Sequence, residues 1–189
     1  AVVWSPDDQD CIAVVTGASV ILNTKNASNI IADVFFAKKG FIEQHEELVK
    51  NFVEGWLVGN ATVNSNDSAK KEAIAILAKN FNQPNEFCVT AVDNVRLVTF
   101  GDNQNFFNIS GRFKGVKGED LYSQMTEMYK EIGYIKGNVP TWKTVVSLNA
   151  LRNIALSDDI HSAEGVKTFS NVTVADETSA SIVNKTVSI

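Results

Sequence analysis

Histidine, methionine, cysteine and proline are all scarce in this chain, with two, two, two and three copies among 189 residues. His45 and His161 are too few donors for a zinc site built on His/Cys clusters. Cys11 and Cys88 allow at most one bridge, and neither has a neighbour at metal-ligand spacing. Two small buried thiols are the expected state, whereas a bridge between segments so far apart would suit an oxidising compartment. Neither histidine stands near a marked Ser or Cys, and no nucleophile-elbow pattern occurs, so nucleophile-and-base chemistry is hard to build here. Gly111, Gly115 and Gly118 lack the P-loop spacing and its closing Lys-Ser/Thr, and mark a loose basic connector instead of a phosphate cradle. No apolar run approaches the length needed to cross a bilayer. Positive charge is in the minority, 17 Lys and Arg against 22 Asp and Glu, and the net charge of -5 argues against a nucleic-acid partner. The ligand's sign stays open, because a local cationic pocket can oppose the global charge. With no initiator Met and no signal peptide, the chain reads as a mature form or an excised piece.

What is present is enough to bury a core. At 44% hydrophobic and 21% charged residues the chain is not globally disordered, and its length suits one domain or one domain with a tail. The stretch around which the rest is arranged is Ile31-Ala-Asp-Val-Phe-Phe-Ala-Lys-Lys-Gly40. This apolar run, rich in β-branched and aromatic residues, predicts a strand buried on both faces. Lys38-Lys39-Gly40 breaks it. From Phe41 the period changes: Phe41, His45, Leu48, Val49, Phe52, Val53, Trp56 and Leu57 recur at helical spacing. Glu43, Glu46 and Glu47 lie early, where the helix dipole favours carboxylates, and Gly59-Asn60 supplies a stop. A buried strand passing into an amphipathic helix is the α/β building unit.

The other segments fit around that unit. Ala1-Val-Val-Trp4 opens inside an apolar strand, which Ser5-Pro6-Asp7-Asp8 ends with turn chemistry. Cys11 to Val15 could begin either element, Gly17 to Leu22 reads as a strand, and Asn23 to Asn29 is a polar loop. Asn64-Ser-Asn-Asp67 is an N-cap cluster for a helix with Ala69, Ala73, Ile76, Leu77 and Phe81 on one face. Asn85 to Asn94 reads as a short helix despite its β-branched content. Arg96 to Phe100 reads as a strand and Gly101 to Asn108 as a polar loop. Glu119-Asp120 starts a regular helix closed by Gly133, and Pro140-Thr141 precedes a last helix from Trp142 to Ile154. From residue 156 the composition turns to Ser, Thr, Asn and Asp, a linker or tail with one weakly alternating stretch at Ile182 to Ile189. Asn-x-Ser/Thr triplets at Asn26, Asn60 and Asn171 are what such a composition produces by chance.

Few residues carry chemistry. His45 sits on an apolar stripe, as a packed core histidine would. Asp7, Asp8 and Asp10 could form a carboxylate cluster, but suit solvated turn formers better. Three polar segments stand at strand ends: Trp4-Ser5-Pro6-Asp7, Asn26-Ala27-Ser28-Asn29 and Gly101-Asp102-Asn103-Gln104. In α/β sheets ligands bind where loops leave the strands, although each segment could equally satisfy its own turn.

Together, Ala1-Val-Val-Trp-Ser-Pro-Asp-Asp8, Ala27-Ser-Asn-Ile-Ile-Ala-Asp-Val34, Phe52-Val-Glu-Gly-Trp56 and Gly101-Asp-Asn-Gln-Asn-Phe-Phe107 resemble the periplasmic substrate-binding proteins of ABC importers. The resemblance spans about residues 1 to 155, and is to the nitrate/sulfonate/taurine and thiamine-precursor branch. It implies an α/β, type II periplasmic-binding-protein-like fold, present as the C-terminal half, a helix-rich three-layer sandwich. It implies a small polar or anionic solute between two lobes, importer membrane subunits as partners, no cofactor, and a periplasmic or envelope location. Positions matching the family's ligand-facing loops are Trp4, Ser5, Asp7, Ser28, Asn29, Asp102 and Asn103, with Phe106 as a wall of the cleft. The N-terminal half of such a protein is absent, so strand edges and an apolar face would be exposed, and pairing with a second copy, as a homodimer or larger assembly, is expected.

Residues 156–189 carry a second resemblance. Lys185-Thr-Val-Ser-Ile189 is similar to the opening strand of an OmpA-like peptidoglycan-binding domain, which implies anchorage in the cell envelope. The expected function is thus a non-enzymatic solute-binding module. The alternative is a scaffold or interaction module of the envelope that keeps the fold without transport. An enzyme of thiamine-precursor synthesis would need a His- and metal-bearing site that the sequence does not offer.

Overall fold

Glu46 to Ser65 carries two carboxylates in its first turn and an apolar residue every three or four positions, and it forms the longest helix among the described residues. The computed structural model describes residues 2–4, 7–24 and 31–156. Along them run α1 (Asp7–Val14), α2 (Lys39–Gln44), α3 (Glu46–Ser65), α4 (Asp67–Phe81), α5 (Asn85–Asn94), α6 (Phe100–Phe106), α7 (Gly118–Glu131), α8 (Trp142–Val145) and α9 (Asn149–Asn153). Among the described residues there is no strand. The expected α/β type II periplasmic-binding fold, with its three-layer sandwich, is therefore wrong for this structure, which is helical.

The physical reason lies in strand pairing. A strand's ladder is completed by a neighbouring strand, and among the described residues none of the runs read as strands is paired with another. Residues 18–23, 32–38 and 96–99 are neither helical nor paired in a ladder. The run from Ile31, expected to be buried on both faces, is exposed throughout. Only Phe35 leans on α3, its ring edge-on to Phe52 at 5.0 Å and to Trp56 at 4.9 Å. The helices bury their apolar sides against each other instead: α3 packs on α9 and α4, and α4 on α5.

Local signals explain the helix ends. Asn66 caps α4, its side chain accepting from the N–H groups of Ser68 (2.9 Å) and Ala69 (3.0 Å). Asn82 ends the same helix in the left-handed region (φ 51°), and Gly133 follows α7 at φ 77°. Asp120 accepts from the N–H of Lys117 at the start of α7, 3.2 Å away. Three expectations shift. Gly59-Asn60 does not stop α3, which continues to Ser65. His45 interrupts the predicted Phe41 helix and separates α2 from α3. It is exposed beside the Phe41 ring (4.7 Å), not packed in the core. The last helix is two short pieces, α8 and α9, with 146–148 between them.

The main core is small: Leu57 of α3, Phe100 of α6, Leu151 of α9 and Ile154 are buried together, with Val53, Phe107, Leu148 and Leu156 packed around them. Ile74 and Cys88 are buried on α4 and α5. Both cysteines are free; Cys88 is buried as expected, whereas Cys11 is exposed. The exposed Lys70–Asp93 pair (2.6 Å) ties α4 to α5 and adds little, since solvent screens it. A third cluster is aromatic. Phe106 and Phe107 meet edge-on at 5.1 Å, and Trp142 stacks on Phe107 and tilts against Tyr122. The Tyr122 hydroxyl donates to the Pro140 carbonyl at 2.9 Å.

Gly118, the first residue of α7, is buried where these rings converge. A Cβ there would lie 2.5 Å from one Phe106 ring carbon and 2.8 Å from a Trp142 ring carbon. Its backbone φ is one that alanine tolerates, so only the packing forbids a side chain. Gly118→Ala should cost about 1–3 kcal/mol through overpacking. Urea unfolding followed by helicity should show a lower midpoint at unchanged slope. A midpoint at or above that of the parent would contradict this ring arrangement.

Candidate functional site

The residues singled out from sequence fall in two separate places. Asp102, Asn103 and Phe106 share α6, not the polar loop expected there. Trp4 lies just before α1 and Asp7 is its first residue; the Asp7 N–H donates to the Trp4 carbonyl at 2.9 Å. Trp4 is exposed, and α1 has no buried residue and is not among the helices that pack closely on others. Asp7, Asp8 and Asp10 occupy its first turn, where the helix dipole favours carboxylates. Ser5, Ser28 and Asn29 lie outside the described residues, as does the 157–189 stretch.

On α6 the polar groups turn to their own chain. Thr99 caps the helix with its hydroxyl, accepting from the Asp102 N–H at 3.1 Å, while the Asp102 carboxylate accepts from the Thr99 N–H at 2.9 Å. This reciprocal capping box satisfies two donors that the helix itself leaves open. Arg96 donates to the same carboxylate at 2.6 Å, and the Asp102 side chain is 11% exposed. A charge-assisted bond at this depth holds the 96–102 turn. Asn103 donates its amide to the Thr99 carbonyl at 2.8 Å. Phe106 belongs to the ring cluster over Gly118.

Two residues of α3 complete this knot, and the sequence reading did not single them out for it. Asn60, 7% exposed, donates its amide to the Val98 carbonyl at 3.0 Å. One turn later Asn64 donates to the Leu97 carbonyl at 2.9 Å. Two carboxamides four apart share one helix face, so they can grip successive carbonyls of a chain lying along that face. That spacing was the available signal. Asn60 is also the first residue of an Asn-x-Thr triplet, and its amide is already engaged.

A cleft of about 270 Å³ opens between α2, α3 and α9, lined by Ile42, Glu46, Glu47, Val49, Lys50, Asn149, Ala150 and Asn153. Lys50 donates to Glu47 at 3.0 Å, which leaves the cleft acidic through Glu46, with carboxamides on the α9 side. Such a lining repels an anion. Among the described residues no group of three His, Cys, Asp or Glu side chains gathers as metal ligands do, and no helix is long and apolar enough to cross a membrane. No family model, curated protein or solved structure matches the chain.

The α3 grip and the capping box make stability predictions. Asn60→Ala should cost about 1–2 kcal/mol, because it removes a largely buried hydrogen bond. Asn64→Ala, at an exposed position, should cost less. Thr99→Ala should cost about 1 kcal/mol as a lost cap. Chemical denaturation of the three variants checks the order; a neutral Asn60→Ala would show that the 97–98 segment is held by something else.

Proposed function

We propose that this chain is a non-enzymatic interaction module, working by contact with other macromolecules at the cell envelope and not by holding a small solute. The observation that carries the reading is how the molecule distributes its side chains. The polar residues best suited to grip a ligand, Asp102, Asn103 and Asn60, are bonded to their own backbone. Large apolar residues stand outward: Val34, Phe35 and Phe36, then Leu48, Phe52 and Trp56 of α3. Contiguous exposed apolar surface of that kind is the mark of protein contact sites. The envelope setting rests on the sequence resemblance alone.

Solute binding for an ABC-type importer is the second reading, favoured by one feature, the cleft with Glu46, Asn149 and Asn153 on its walls. Its volume falls just under the usual range of ligand pockets, roughly 300 Å³ upward, and its acidic lining suits a polar or cationic solute better than an anion. Native mass spectrometry of the purified chain separates the two. No stoichiometric adduct is expected, before or after addition of nitrate, taurine, other sulfonates, phosphate or pyrimidines. A stoichiometric adduct lost on Asn153→Ala would overturn the interaction reading in favour of the solute one.

A further inference from the structure

We infer that residues 34–38, within the open 31–38 segment, form an edge that pairs antiparallel with the same residues of a second copy of this chain, with Phe36 opposite Phe36. The inference rests on the interaction-module reading and names its partner. From Ala32 to Lys38 the backbone is neither helix, turn nor bend, and Lys38 has extended torsions (φ -62°, ψ 136°). Among the described residues the backbone groups of 31–37 make no hydrogen bond; the Lys38 carbonyl is the first engaged, accepting from Phe41 and Ile42. Seven consecutive residues with open donors and acceptors are a template for a strand.

The side chains already obey a strand's alternation. Phe35 turns toward Phe52 and Trp56 of α3, while Phe36 is 95% exposed on the other side. A slip by one residue would exchange these faces, so the α3 contact sets which side Phe36 takes.

Charge selects the partner and the direction. Asp33 carries no ion pair among the described residues, nor does Lys38, and the Lys39–Glu43 contact is long (3.6 Å) and well exposed. In a parallel in-register pair, Asp33 would face Asp33 and the lysines would face lysines, which is destabilising. Antiparallel pairing about Phe36 puts Val34 opposite the apolar stem of Lys38 and, just beyond each end of the ladder, brings Asp33 beside Lys39, the first residue of α2. Residues opposite each other then have the same parity, so a twofold axis closes the pair and no edge propagates. The same contact would cover Val34 and Phe36 on the face away from α3.

Sedimentation of the full chain over a range of concentrations tests this. A monomer–dimer equilibrium is expected. Phe36→Lys should weaken it by about tenfold or more with helicity unchanged, since Phe36 makes no packing contact to lose. Asp33→Lys and Lys39→Asp should each weaken it several-fold, and the double variant should regain the parent's association. Oxidative crosslinking fixes the register, in a Cys11→Ser background that leaves only the buried Cys88. Phe36→Cys should yield a covalent dimer readily, and Val34→Cys, which faces Lys38, should not. A chain monomeric at every concentration would overturn the pairing, as would a double variant that fails to regain association. Equal crosslinking at both positions would overturn the register and its charge argument. A monomer without solute adduct leaves the interaction module standing with another partner, whereas a monomer with one sinks both.

Discussion

The amide of Asn60, reaching from the middle of α3 to the Val98 carbonyl, is the contact on which most of the packing depends. It pins the 96–99 segment along the helix, and Asn64 repeats the grip on Leu97. With that segment held, Thr99 can cap α6, and Phe100 points to Leu57, which lies on α3 less than a turn before Asn60. Leu151 and Ile154 close over the same pair from α9. A core of so few buried side chains, each worth roughly 1.5–3 kcal/mol, needs polar contacts to place its parts. The hydrogen bonds of Asn60, Thr99 and Asp102 do this without leaving their own groups unsatisfied.

The same economy shapes what the molecule can recognise. Carboxamides and carboxylates that fasten backbone are not available to a ligand, so the polar residues of α6 and α3 read more naturally as fasteners. The apolar residues that found no place in this small core remain at the surface along much of the chain, among them the run from Ile31 and the adjoining Phe52 and Trp56 of α3. Phe35 links the two, since its ring rests on Phe52 and Trp56. An open backbone and an apolar side chain row in one place make a contact surface from what would otherwise be a failed strand.

Much of the helical content was legible in the sequence. The cap cluster before α4, the short α5, the regular α7 and its closure at Gly133 follow from local pattern and chain-end chemistry. The stripe expected on α4 is shifted: Ile76 and Phe81 are exposed, and Ile74 is the buried residue. The strands were not, because the same apolar runs state only that a segment prefers an extended backbone; whether a ladder forms depends on a neighbour. Arg96 to Thr99 shows this well. Its pattern suits a strand, yet its Leu97 and Val98 carbonyls take side-chain amides from a helix. The α6 helix was hidden by its composition of Gly, Asp, Asn and Gln, which reads as a loop until the Thr99–Asp102 box is seen. Of the site, Asp102, Asn103 and Phe106 stood out in sequence, but as residues of a loop and not of a helix that bonds its own backbone; their partners, Arg96 six positions before Asp102 and Asn60 far away in the chain, were beyond local pattern.

By itself, then, the sequence determined which segments would be helical where period and caps agree, and that the run from Ile31 would be apolar and extended. Only the tertiary structure decided that the extended runs among the described residues stay unpaired, that α3 runs on where Gly59-Asn60 promised a stop, and that Asp102 and Asn103 bond their own backbone. The reason is one of range. Caps and amphipathic stripes are completed within a turn or two, whereas a strand, a buried amide or an ion pair is completed by a residue whose proximity no local pattern encodes.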